Sequence, residues 1–294
     1  ITVLRDGAFV DCANIADVDK DWLIGKMIGR DLKDTFPPRH RVLPQEVVLE
    51  ARDLGGEHFH NVSFSLHKGE ILGFSGLVGA GRTEVMRAIF GADKVHSGEL
   101  KLFGKTVHIT HPCQAVELGM GFATEDRKAQ GLFLNQTIKD NIAIASPKRV
   151  SSNGFMKGKE ETRLANQYMQ ELKIAAPDIF KVCKFLSGGN QQKVVIARVF
   201  SENPDVIIVA QPTRGVDVGA MEYIHHRLLD LRDGGKSILL ISADLDEVRS
   251  LSDRLAVIYG GRIVAEGKPD TWSDMEIGLL MTGGSLAPEK EGTA

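Results

Sequence analysis

Three things are scarce in this sequence, and each scarcity closes off a class. Cysteine occurs only at Cys12, Cys113 and Cys183 in 294 residues. The three are odd in number, far apart and in no metal-ligand spacing, so they predict reduced thiols in a cytosolic protein, not a disulfide framework. Long apolar runs are missing. Stretches such as Val206–Ala210 and Ile238–Ile241 are far short of the roughly 20 residues that span a bilayer, so a role at a membrane would go through a partner. Excess positive charge is missing too: 36 Lys and Arg stand against 39 Asp and Glu, a net charge of −3. With no basic stripe, a nucleic-acid partner held by its phosphates is not expected. No low-complexity segment or signal peptide is evident, and the chain opens not on methionine but on strand-like residues, as from mid-strand.

What is present is ordinary for a globular protein: 43% hydrophobic and 26% charged residues. A chain of this length forms one large or two small domains and needs no disulfide or metal to stay folded. Strand-like runs fall at Val47–Ala51, Phe59–Leu66, Glu70–Phe74, Gly98–Gly104 and Gly119–Thr124. Helical character follows Thr83 as far as Gly91 and then dominates 137–200. There Thr137 suits a cap for Ile138–Ala145, Ser151–Gly154 reads as a loop, and Glu160–Leu172 is amphipathic. Val206–Val209, Ser237–Ile241 and Leu255–Ile258 are short continuous apolar runs, with helices such as Ala220–Leu231 between. That alternation predicts an α/β fold whose parallel sheet is covered on both faces.

The start and the end of the chain resemble each other. Ile1–Val10 and Leu255–Val264 each read as two apolar strands joined at a turn, Asp6-Gly7 in one and Gly260-Gly261 in the other. Trp22–Gly29 then resembles Met275–Thr282, at an offset of 253 instead of the initial 255 − 1 = 254. Chance recurrence of a hairpin and a short helix is one reading. The other is an internal repeat, in which residues 1–40 are the tail of a preceding domain plus a linker around Thr35–Arg41, and 45–284 are the next copy.

Gly76-Leu77-Val78-Gly79-Ala80-Gly81-Arg82-Thr83 is nearly a phosphate loop. Such loops present backbone N–H groups and a helix N-terminus to an anion, with lysine reaching the outer phosphates and a hydroxyl on magnesium. Gly76, Gly81 and Thr83 fit that pattern and Glu84 continues it into the helix, but Arg82 replaces the lysine. Arginine is bulkier and permanently charged. On the octet alone, a nucleotide site and a plain strand-to-helix turn both stand. Leu186-Ser187-Gly188-Gly189-Asn190-Gln191-Gln192-Lys193 offers a second anion site, with Ser187 capping a helix that begins near Gly189. A plain capped amphipathic helix is the alternative.

The stretch from Leu186 to Lys193 resembles the signature motif of ABC ATPases. Pro212–Ala220 downstream narrows the likeness to the second half of the double ATP-binding proteins of bacterial simple-sugar and nucleoside importers, and Ala210–Thr213 leans towards the nucleoside branch. The resemblance covers nearly all of residues 1–284. It implies a P-loop ABC ATPase domain with a parallel-sheet core, an antiparallel β subdomain and a helical signature subdomain at about 111–200, followed by a flexible tail, 285–294. Gly76–Thr83 takes the place of the phosphate loop that binds ATP, with Glu84 beside it. Glu125 takes the place of a glutamine between nucleotide and membrane partner and, with Thr83, is a candidate for Mg²⁺; unaided, it reads as an exposed turn carboxylate. Gln211 stands at the position of the water-polarising glutamate, Ala210 at that of the magnesium-side aspartate, and Ala243 or a neighbour at that of the switch histidine. Asp217 matches the aspartate of the following loop, although alone it is only a turn residue.

Arg82, Ala210, Gln211 and Ala243 therefore all depart from the family pattern, while Ser187, Gly188, Gly189, Asn190 and Gln191 keep it. In this family two domains pack head to tail, and the signature of each completes the other's nucleotide site. The resemblance thus implies that this copy holds ATP, hydrolyses it poorly and serves the preceding domain in trans. The implied partners are that domain, transmembrane permease subunits and, indirectly, a periplasmic or lipoprotein solute-binding protein, at the cytoplasmic face of the inner membrane. The rival readings are a non-hydrolysing scaffold and a soluble ABC ATPase unconnected with transport.

Overall fold

The structure, a computed structural model, describes residues 1–5, 8–19, 22–23, 25–26 and 45–286. The expected turn at Asp6-Gly7, the linker at Thr35–Arg41 and nearly all of the tail lie outside them, as does half of the Trp22–Gly29 match. In chain order the strands are β1 (Thr2–Arg5), β2 (Ala8–Cys12), β3 (Val47–Gly55), β4 (Val62–His67), β5 (Ile71–Ser75), β6 (Ser97–Leu102), β7 (Lys105–Val107), β8 (Met120–Ala123), β9 (Ser151–Ser152), β10 (Phe155–Met156), β11 (Val206–Ala210), β12 (Ser237–Ile241), β13 (Arg254–Tyr259) and β14 (Arg262–Gly267). The helices are α1 (Arg82–Ile89), α2 (Pro112–Glu117), α3 (Ile138–Ala143), α4 (Pro147–Val150), α5 (Gly158–Glu171), α6 (Gly188–Phe200), α7 (Val218–Asp233), α8 (Leu245–Leu251) and α9 (Asp274–Met281).

The main sheet has the order β14-β13-β5-β12-β11-β8, parallel except for the edge strand β14. The strands β5, β12 and β11 are buried at every position and mostly apolar because both faces are covered. In β11, Val206, Ile208 and Ala210 enter one core while Ile207 and Val209 enter the other. The first core is shared with an antiparallel sheet of order β4-β3-β6-β7, and the second with the helical layer. β8 belongs to the main sheet, with α2 packed on it, so the start of the range 111–200 joins the core and the helical layer proper runs from α3. Thr137 caps α3 as expected, in a capping box with Asp140. Ser151–Gly154 differs from its reading as a loop. β9 and β10 form a small hairpin whose turn residues Asn153 and Gly154 have φ +52° and +82°, the positive pair that Asn-Gly turns favour.

The β1–β2 and β13–β14 hairpins have the same register at an offset of 256 − 2 = 254 residues. Thr2 faces Cys12 as Ala256 faces Glu266, and Leu4 faces Phe9 as Ile258 faces Ile263. The irregularity also recurs, between Val3 and Leu4 and between Val257 and Ile258. A bulge fixes strand twist and register, so agreement at that position is a more demanding test of a repeat than shared hydrophobicity.

Just beyond α6, half-buried Glu202 has its carboxyl pushed up to about 7 by burial, with Arg198 opposing. The folded-state value lies above the unfolded one, so its stabilising contribution is intact below pH ~4.5 and is lost as pH rises through about 7. Glu202→Gln is expected to leave stability at pH 5 nearly unchanged. At pH 8 it should raise stability by about 1 kcal/mol once solvent screening is allowed for, about 2–4 °C in melting temperature. Thermal melts at the two pH values check this, and equal shifts at both would contradict it. Among the described residues no helix is long and apolar enough to cross a membrane.

Candidate functional site

The carboxyl ends of the parallel strands β5, β12, β11 and β8 open on one edge of the sheet, where α/β folds bind ligands. From β5 comes the loop Gly76–Gly81, from β11 Gln211, from β12 Ser242-Ala243 and from β8 Thr124-Glu125. The loop turns into α1 at Gly81, which has φ +101°, a conformation that favours glycine. A β-carbon there would also stand 3.1 Å from Gly261 Cα and 3.2 Å from His58 O. Leu77, Val78 and Gly79 are exposed. Among residues 77–83 only the Ala80 N–H is donated within the protein, to Leu77 O at 3.0 Å. The other amides, together with the start of α1, are donors of the kind that phosphate accepts from.

Arg82 does not reach into solvent. It is buried, and its Nη1 donates to the carbonyl of Ser242 at 2.5 Å. On the way its Cδ passes Gly76, 3.4 Å from where a β-carbon would sit. Burial pulls the guanidinium below its ordinary value, against Glu125 and Glu84. The neighbouring residue of the same strand end is also engaged. Gln211 Oε1 accepts from Ala243 N at 3.2 Å, and Gln211 N donates to Ile241 O at 2.7 Å. Gln211 has φ +51°, which costs a non-glycine residue about 1 kcal/mol or more and persists only where surroundings hold it. Three of the four departing positions, Arg82, Gln211 and Ala243, thus meet at one peptide, Ser242-Ala243. The fourth, Ala210, is fully buried and offers no side-chain oxygen.

Thr83 and Glu125 are brought together, with the Thr83 hydroxyl donating to Glu125 Oε2 at 3.5 Å. Glu125 Oε1, however, is paired with Arg214 Nη1. A divalent cation of the magnesium type needs several oxygens, ordinarily including one or two carboxylates. Here the carboxylate is neutralised by arginine, the Gln211 amide oxygen is occupied and Ala210 has none to give. The donors present do not fit that ion. Glu84 lies on the first turn of α1 and acts on Arg82 electrostatically.

The expected second anion site is built as follows. Ser187 is the N-cap of α6, as expected, with the helix starting at Gly188, one residue earlier than expected, and its Oγ accepts from Asn190 N at 3.4 Å and from Asn190 Nδ2 at 2.9 Å. Asn190 Oδ1 accepts from Ala175 N at 2.7 Å, and Gln191 Nε2 donates to Cys183 O at 3.1 Å, so the first turn is fixed to the helical layer. Among the described residues no acceptor meets the N–H groups of Gly188 and Gly189. Asp217 caps α7, its Oδ1 accepting from Ala220 N at 2.9 Å. Its Oδ2 stands 2.8 Å from where a Gly189 β-carbon would be, so the signature tip and the Asp217 loop are packed together.

Two arginines missed by sequence reasoning join these parts. Arg127 Nη1 donates to Arg214 O at 2.8 Å, and Nη2 of Arg127 lies beside Gly188. Both line a cleft of about 530 Å³ with Thr83, Arg87 and Glu125. Arg214 was within view in the stretch after Pro212, whereas the Ser242 carbonyl that holds Arg82 carries no sequence signal.

A glycine loop on the central parallel strand, with a serine-capped glycine tip at the start of α6, defines a P-loop nucleotide-binding domain of the cassette type. The ABC transporter family model matches residues 59–214, and this chain belongs to that family. The ribose import ATP-binding protein RbsA of Lactococcus lactis subsp. lactis is 44% identical over 284 residues, covering 97% of this chain and 58% of that protein. The RbsA of Bacillus subtilis is 40% identical over 284 residues, with the same 97% and 58%. The chain thus spans little more than half the length of these relatives. Among solved structures, a nucleotide-free ATP-binding cassette from an ABC transporter superposes with a TM-score of 0.66 at 26% identity, covering 76% of this chain and 91% of that one. A dimeric post-hydrolysis cassette bound to ADP and Pi gives 0.66 at 23% identity, over 75% and 98%, and shows the fold alone.

Proposed function

We propose that this chain is the second nucleotide-binding half of the ATP-binding subunit of an importer for simple sugars or nucleosides. Its own site holds ATP but hydrolyses it poorly, and its signature tip completes the site of a preceding domain. The observation that carries this reading is the asymmetry between the two anion sites. At Ser187–Gln191 the cap is made and, among the described residues, the Gly188 and Gly189 amides have no acceptor. At the loop after β5 the groups that would do chemistry are replaced by Arg82, Gln211 and Ala243, which are spent on one another through Ser242-Ala243.

The shared register of β1–β2 and β13–β14 supports a tandem arrangement, with residues 1–40 as the tail and linker of the earlier copy, 45–284 as this domain and 285–294 as a tail. The likeness to ribose import proteins supports a sugar as cargo, and the Ala210–Thr213 stretch a nucleoside. The partners proposed are the preceding domain, transmembrane permease subunits and, through them, a solute-binding protein, at the cytoplasmic face of the inner membrane.

Loss of a general base costs about 10²–10⁴-fold in rate. The 294-residue chain is therefore expected to bind ATP with turnover well below the ~1 s⁻¹ at the low end of ordinary enzymes. Phosphate release measured beside nucleotide titration tests this. Turnover of about 1 s⁻¹ or more would contradict the weak-site reading. A second reading, a scaffold that binds no nucleotide, is favoured by the burial of Arg82 inside the loop; the same titration decides, since a chain without ATP affinity is that scaffold.

A further inference from the structure

We infer that the loop after β5 takes its nucleotide as the metal-free polyanion, with Arg82 supplying the charge that a divalent cation would otherwise bring. The inference rests on the reading that this loop holds nucleotide at all.

A metal would find few donors here. Ala210 has no donor, and the carboxylate of Glu125 is paired with Arg214. The Thr83 hydroxyl stands 3.5 Å from that same carboxylate, and Asp126, in the same cleft, turns its Oδ1 to the N–H groups of Lys128 and Ala129. A strongly hydrated dication gives up water only for a set of oxygens, carboxylates among them, so replacing its water shell here gains little. What a polyphosphate would find is different. The loop amides and the N-terminus of α1 supply partial positive charge, and Arg82 adds a permanent one. Among the described residues, Arg82 spends one of its five N–H donors on a protein acceptor, the Ser242 carbonyl. Its stem lies beside Gly76 and its head is held by the Ser242 carbonyl, so the guanidinium is set in place next to the loop before any ligand arrives. Guanidinium is weakly hydrated and grips phosphate in a planar fork, properties an ammonium lacks. A cation brought in with the nucleotide would have to sit next to that fixed charge.

The test titrates the full 294-residue chain with a fluorescent ATP analogue, in excess magnesium and in excess EDTA. The expected dissociation constants differ by less than about threefold. Tightening by magnesium of about threefold or more overturns the inference while leaving the nucleotide-holding reading intact. Absence of binding in both conditions overturns both. The variant Arg82→Met, its folding checked by circular dichroism, is expected to weaken binding in EDTA by about tenfold to a hundredfold, the loss of a charge-assisted hydrogen bond. Unchanged affinity in that variant also overturns the inference. The parent comparison stands by itself should the variant not fold.

Discussion

Ser187→Arg in the full-length protein, assembled with its permease, is expected to lower ATP turnover by about 10²–10³-fold, the loss seen when one preorganised donor to a developing charge is removed. Ser187 does two things. Its hydroxyl orders the first turn of α6 by accepting from Asn190, and at the tip the Gly188 and Gly189 amides meet no acceptor among the described residues. Arginine removes the cap and sets a long side chain over the open amides. Loss of a serine cap costs about 1 kcal/mol, which a domain of this size tolerates, and Ser187 is exposed, so the new side chain needs no cavity. Stability should therefore fall little while turnover collapses. Ser187→Ala separates the two effects, because it removes the cap without the obstruction and should keep far more activity. ATPase activity in proteoliposomes, with melting temperatures of the purified variants, is the measurement. Turnover of Ser187→Arg within about threefold of the parent would remove the proposal that this tip serves a partner's nucleotide.

The comparison at the loop after β5 has to be made with care. Gly81→Asp is the direct counterpart, but Gly81 has φ +101° and faces Gly261 and His58 backbone atoms. Any side chain there strains the turn into α1 whether or not nucleotide binds. Arg82→Met is the cleaner probe, since it removes the charge and one hydrogen bond and leaves the backbone alone.

Much of this was legible in the sequence for a physical reason. β11 and β12 are buried on both faces, so they appear as continuous apolar runs, and Ser187 and Thr137 announce helix starts because such side chains can accept from the first turn; Asp217, which alone reads only as a turn residue, caps α7 in the same way. Most element ends moved by a residue or two, as at α6, but β3 runs four residues past Ala51 and β4 starts three after Phe59. The β9–β10 hairpin was hidden because each strand is two residues long and shows no alternation, although Asn153-Gly154 is a strong turn signal. Within the site, residue types at Arg82, Gln211 and Ala243 could be seen to depart from the pattern. Their mutual engagement could not, because it passes through the backbone of Ser242 and Ala243, and backbone groups are the same in every residue.

Arg254→Met is expected to cost about 3–5 kcal/mol, because it strands a buried charge. Glu70 is fully buried at the start of β5, and its Oε1 accepts from Arg254 Nε at 2.7 Å. Its Oε2 accepts from His67 N at 2.6 Å and meets His67 Nδ1 at 2.9 Å. Arg254 also donates to the Ser65 carbonyl of β4 and pairs with Glu266 of β14 at 3.2 Å. One guanidinium thus ties the antiparallel sheet to the parallel one, beside the strand that carries the glycine loop. Methionine keeps the apolar stem and removes every one of those bonds. The denaturant midpoint should fall accordingly. The double variant Arg254→Met with Glu70→Leu should recover most of the loss, because a well-packed apolar pair can replace a buried ion pair at little net cost. Recovery would show that the penalty lies in the stranded carboxylate; a double variant no more stable than the single would place it in the lost tie between the sheets. A single variant within about 1 kcal/mol of the parent would mean that His67 alone can hold the Glu70 charge, and the seating of β5 would then owe little to Arg254.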